Sequence, residues 1–110
     1  MLSGAENVYP AEIEERLDEH QSISQSCVVG VKHEKLGEEV AAFLQLNRGH
    51  SRPSDSDITE WILASLGTQK IPLWIFWLGD GDVPSVFPIT DSGKIKKNEM
   101  AELGNQLILS

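Results

Sequence analysis

Hydrophobic and polar positions fall into short runs whose periods alternate between helical and extended. Ile13 and Leu17, four residues apart, make an apolar stripe just after Pro10. Proline there has its φ preset for a first helical turn and lacks an N–H that the turn would leave unpaired. Glu12, Glu14 and Glu15 fall early in the same run, where the helix dipole favours negative charge, which predicts a helix over 10–20. The β-branched run QSCVVGV predicts a strand over 25–31 with Cys27, Val29 and Val31 on one face. The run EVAAFLQL predicts a second strand over 39–46, with Val40, Ala42, Leu44 and Leu46 opposite Ala41 and Phe43. A short polar loop joins the two, which suggests an antiparallel pair. Ile58, Trp61, Ile62, Ser65 and Leu66 return to helical spacing. Ser54, Ser56 or Asp57 can cap that helix, Gly67 can end it, and Trp61 is assigned to the core. The run LWIFWL over 73–78 is apolar on both faces and reads as a central strand covered on each side. Met100, Leu103 and Leu107 stripe a last helix over 96–107, which Gly104 weakens.

The order helix, strand, strand, helix, strand, helix predicts a small α+β domain with helices on a short mixed or antiparallel sheet. At 110 residues the chain is one domain, 1–110. Its 40% hydrophobic and 24% charged residues are ordinary globular values. No apolar run approaches the ~18 residues that span a bilayer, so no membrane span is expected. The single Cys27 excludes an internal disulfide and fits a reducing compartment, from which a cytoplasmic location is expected. A net charge of -8 argues against nucleic acid as a partner. His33 has no Cys or His partner at metal-ligand spacing, and Gly79-Asp80-Gly81-Asp82 lacks the pattern of a calcium loop, so no metal site is expected.

Against that acidic background, Lys94, Lys96 and Lys97 cluster in Phe87-Pro88-Ile89-Thr90-Asp91-Ser92-Gly93-Lys94-Ile95-Lys96-Lys97. The turn-forming Thr, Asp, Ser and Gly present Lys94 on a sterically open tip, with Gly93 free to take φ > 0. Such a cluster is either a candidate anion site or a solvated loop leading into a helix.

Several segments together resemble the adenylate-forming enzymes, namely acyl-CoA synthetases, adenylation domains of nonribosomal peptide synthetases, and luciferases. Ser3-Gly4-Ala5-Glu6-Asn7-Val8-Tyr9-Pro10-Ala11-Glu12-Ile13-Glu14 is similar to the hinge-proximal motif. Cys27 to Val31 with Glu34 to Glu38 is similar to the central hairpin. Lys70-Ile71-Pro72 and Phe87 to Ile95 are similar to the closing motif. The resemblance covers nearly the whole chain in order and implies the mobile C-terminal domain of such an enzyme, excised from a large N-terminal domain that would be its partner. It implies that Lys94 bridges substrate carboxylate and phosphate oxygens during acyl-adenylate formation, with Gly93 supporting the loop. It further implies that Gly4, Ala5 and Glu6 line the pantetheine tunnel after the domain rotates about a hinge before Ser3. ATP with Mg²⁺ and CoA would be bound mainly by the N-terminal domain, which would also hold the carboxylic acid. The family often has Gly where Ala5 stands and Pro-Asp where Lys32-His33 stands. Ile95-Lys96-Lys97 is closer to acyl-CoA synthetases than to peptide synthetases, whose motif continues Val-Asp-Arg. The alternatives are a domain loading a carrier protein and a non-catalytic interaction module.

Overall fold

Among the described residues three strands and three helices form in the expected order, and the sheet separates the helices into two layers. The computed structural model describes residues 10–33, 37–66, 71, 72 and 74–109. Helix α1 spans Pro10–Asp18, strand β1 Ile23–His33, strand β2 Gly37–Leu46, helix α2 Asp55–Leu66, strand β3 Trp74–Trp77 and helix α3 Lys97–Leu109. β1 and β2 pair antiparallel, with Cys27 opposite Phe43 and Val29 opposite Ala41. β3 joins β2 in parallel, with Phe76 opposite Phe43. The sheet is therefore mixed, in the order β1-β2-β3.

That order corrects the reading of 73–78 as a central strand: β3 is an edge of the described sheet, and β2 holds the centre. Two-sided apolarity marks coverage of both faces and carries no information about lateral neighbours. Leu73 lies outside the described residues. The period-two alternation of β2 partitions two cores. Val40, Ala42 and Leu44 pack with Val28 of β1 and with Ile13, Leu17, Ile58 and Ile62 of α1 and α2. Ala41 and Phe43 face the other way, toward Cys27, Val29, Val31 and Met100 of α3. Phe43 and Phe76 stack at 5.1 Å between centroids.

Local chemistry places the helices. Ser54 Oγ accepts a hydrogen bond from the Asp57 N–H at 3.1 Å, so Ser54 caps α2; the terminator Gly67 lies outside the described residues. Trp61 is only half buried and serves the α1–α2 seam rather than the deep core. Its indole N–H donates to the Arg16 carbonyl at 2.7 Å, and the Arg16 guanidinium lies 3.8 Å above its ring. Cys27 is fully buried, and desolvation pushes its thiol up to about 12, so it is an unreactive core residue. No described helix is long and apolar enough to cross a membrane.

Gly104 is no mere weakness in α3. It is buried against the sheet, and a Cβ there would meet Val31 Cγ1 at 3.0 Å and the Phe43 ring at 3.7 Å. Absence of a side chain lets α3 lie close on β1 and β2. Gly104→Leu is therefore expected to lower stability by about 1–3 kcal/mol, although leucine is the better helix former. Urea unfolding checks this: a raised midpoint would mean that propensity, not close packing, governs the position.

Candidate functional site

The Lys94 segment is a tight hairpin joined to the domain's edge. Gly93 N–H donates to the Thr90 carbonyl at 2.9 Å, and Thr90 N–H donates to the Lys94 carbonyl at 2.7 Å. Gly93 has φ 87, the left-handed conformation that ends a three-residue hairpin loop after a type I turn. The Thr90 hydroxyl holds the tip from inside, accepting from Lys94 N–H at 3.2 Å and bonding Ser92 Oγ at 3.0 Å. Ile89 and Ile95 close the hairpin as an antiparallel bridge, and Lys96 N–H donates to the Pro88 carbonyl at 2.9 Å.

The three lysines separate into distinct roles. Lys96 Nζ lies 3.6 Å from Glu99 Oε2 and Lys97 Nζ lies 2.7 Å from Glu14 Oε2. Both sit at the positive end of the α3 dipole, where a cation is disfavoured unless a carboxylate answers it. Lys94 is exposed and forms no ion pair with a described residue. The cluster is thus one unengaged ammonium beside two paired ones.

Lys94 borders a groove of about 420 Å³ shared with Gly93, Ile95, Lys97, Glu14, Asp18 and Ser26. The far wall comes from α1 and β1. Glu14 Oε2 accepts from the Val28 N–H at 2.7 Å, capping the free edge of β1. Asp18 Oδ1 accepts from Ser26 Oγ at 2.8 Å. Desolvation raises the Asp18 pKa above its ordinary value; the Ser26 hydroxyl opposes the rise and the Glu14 charge adds to it.

Lys94 and Gly93 are therefore adjacent at one open tip. Gly4, Ala5, Glu6 and Lys70 lie outside the described residues. Sequence reasoning missed Glu14, Asp18 and Ser26 as a wall facing the lysine. Their only local signal is Glu14 beside the apolar Ile13, a position that borders the buried face of α1.

Comparison with known proteins gives this geometry a context. The family model described as the AMP-binding enzyme C-terminal domain matches residues 12–94, most of the chain and ending on the hairpin lysine. The chain belongs to the AMP-binding enzyme C-terminal domain family. It is 48% identical over 109 residues to acyl-CoA ligase sidI of Beauveria bassiana, covering 98% of this chain and 19% of that ligase. Its fold matches the fatty acyl CoA synthetase of Mycobacterium tuberculosis with TM-score 0.79 and 30% identity, covering 97% of this chain and 20% of that one. ATP-bound MatB from Rhodopseudomonas palustris matches with TM-score 0.77 and 25% identity, over 91% of this chain and 18% of that one. The chain spans about a fifth of the length of the curated relatives it matches. As a C-terminal domain of this family, it has the small mixed-sheet α+β architecture of adenylate-forming enzymes.

The raised Asp18 pKa sets a pH dependence. A carboxyl that binds its proton more tightly folded than unfolded contributes stability that is full below its ordinary value of 3.8. That contribution is lost as pH rises through the raised value. Asp18→Asn keeps an acceptor for Ser26 and removes the charge penalty. It is expected to raise the melting temperature at about pH 7 by only about 1–2 °C, since Asp18 is largely solvent-exposed, with no gain at about pH 3. Paired thermal melts check both halves.

Proposed function

We propose that this chain is the C-terminal lid of an ATP-dependent, AMP-forming acid–thiol ligase, with Lys94 as its catalytic residue. The observation that carries the reading is an unengaged lysine on a hydrogen-bonded hairpin at the end of the family match, beside two lysines that are already paired. In the first half-reaction the substrate carboxylate attacks the α-phosphorus of ATP and pyrophosphate leaves, giving an acyl-adenylate. Oxygens of both reactants converge there, and an ammonium at that point offsets charge that crowds in the transition state. Gly93 sets the turn that aims Lys94. Exposure suits the role, because the lysine must enter a pocket formed by another domain.

In the second half-reaction the CoA thiol displaces AMP, and the segment around Gly4, Ala5 and Glu6 is assigned to the pantetheine passage. The small Gly4 and Ala5 suit close passage of a narrow arm along the backbone. Among the described residues no group of three or more His, Cys, Asp or Glu is placed to hold a metal ion. Mg²⁺ is assigned to the nucleotide phosphates and the large N-terminal domain, which also holds the adenine, the carboxylic acid and most of CoA. A reducing compartment such as the cytoplasm suits the buried free thiol of Cys27.

In a ligase that joins this chain to its large N-terminal domain, Lys94→Ala is expected to slow pyrophosphate release by about 10²–10³-fold. Thioester formation from supplied acyl-adenylate should continue. Release at the wild-type rate with the fold intact would remove Lys94 from the chemistry.

A further inference from the structure

Resting on the reading of Lys94 as the delivered cation, the geometry points to Glu14 and Lys97 as a positioning pair that fixes the Lys94 hairpin to the body of the domain. Hydrogen bonds within the hairpin set its shape but not its direction. Among the described residues, the segment is tied to the body by buried Phe87 and half-buried Ile95, both packed on the Phe43 side of the sheet, and by Lys97 at the first residue of α3. Apolar packing is non-directional, so Phe87 and Ile95 hold the segment down without a directional bond to set its rotation. The Lys97–Glu14 contact at 2.7 Å is directional and joins α3 to α1.

Glu14 is well suited to anchor that link. Its side chain is only 18% exposed, against 45% for Lys97. The same oxygen, Oε2, accepts from Val28 N–H at 2.7 Å, so the carboxylate is held by the edge of β1. One carboxylate thereby ties together α1, the sheet edge and the start of α3, three residues after Lys94. Its negative charge also answers a lysine at the positive end of the α3 dipole, a site that would otherwise resist it. Lys96, one residue away, supplies the internal contrast. Its partner Glu99 lies within α3 itself and is 56% exposed, so that pair links α3 to nothing else.

The test uses amide hydrogen exchange on the chain and pyrophosphate release by the ligase containing it. Thr90, Lys94 and Lys96 amides report the hairpin, and Phe43 and Leu44 amides report the core. Lys97→Met and Glu14→Gln should speed hairpin exchange by about threefold to fivefold while core exchange holds, as for local opening released from one partly buried ion pair. Glu14→Gln retains an acceptor for Val28, so its effect isolates the lost charge. Pyrophosphate release should fall by a similar factor, and Lys97→Arg should restore both readouts. Lys96→Met should leave hairpin exchange unaltered. Unchanged exchange in the first two variants, or an equal rise in Lys96→Met, overturns the pair as a positioning device. So does faster exchange with undiminished pyrophosphate release in a ligase that Lys94→Ala disables. If Lys94→Ala leaves release intact, the catalytic reading of Lys94 falls instead, and exchange alone still decides whether the pair holds the hairpin.

Discussion

Strand β2 is the constraint on which the rest of this domain depends. It pairs with a strand on each side and is buried on both faces, with Ala41, Ala42, Phe43 and Leu44 all fully inaccessible. A strand so enclosed has no tolerance for a register slip, because moving by one residue would exchange the contents of the two cores. Its alternating side chains therefore decide which helices lie on which face. Odd positions take α3 and even positions take α1 and α2. The Phe43 side needs a helix close to the sheet, and Gly104 supplies the clearance.

That two-layer arrangement explains how a polar site comes to sit on the β1 edge. α1 packs on one face and α3 on the other, both against β1, and Glu14 of α1 reaches Lys97 of α3 around the free edge of that strand. Glu14 and Asp18 reach that edge from one side and the Lys94 hairpin from the other. The carboxylates are engaged by Val28 N–H, Lys97 and the Ser26 hydroxyl, which blunts an edge otherwise open to pairing with another strand. A second polar tie works at the opposite edge. Arg52 makes a two-pronged contact with Asp80 at 2.7 and 2.8 Å while lying over the Trp77 ring at 5.2 Å. Hydrogen bonds from the Arg52 guanidinium, aided by its charge, hold the Asp80 carboxyl below its usual range.

Under the role proposed for Lys94, the division of the basic cluster has a functional sense. Three adjacent cations of equal availability would compete for any anion offered to the tip. Pairing Lys96 with Glu99 and Lys97 with Glu14 leaves Lys94 as the one ammonium of the cluster with no ion pair to a described residue, carried on a turn whose shape is set by backbone hydrogen bonds. In an acidic chain of net charge -8, an unpaired lysine is also kept from indiscriminate anion binding by its surroundings.

The sequence by itself determined every element and which side chains share a face, because period-two and period-3.6 patterns are local properties of the chain. It also marked the lysine hairpin, since Thr, Asp, Ser and Gly encode their turn through bonds to near neighbours, as Thr90 Oγ1 does. Tertiary structure alone decided the lateral order of the strands. LWIFWL reads as covered on both faces whether it lies in the middle of a sheet or at its edge, and only pairing placed β2 between the others. The same holds for Gly104, a helix defect in sequence and a packing surface in space. It holds equally for Glu14, whose bonds to Val28 and Lys97 bridge 14 residues in one case and join opposite ends of the chain in the other. Contacts at such separation leave no periodic trace, since either partner alone is an ordinary charged residue on a helix.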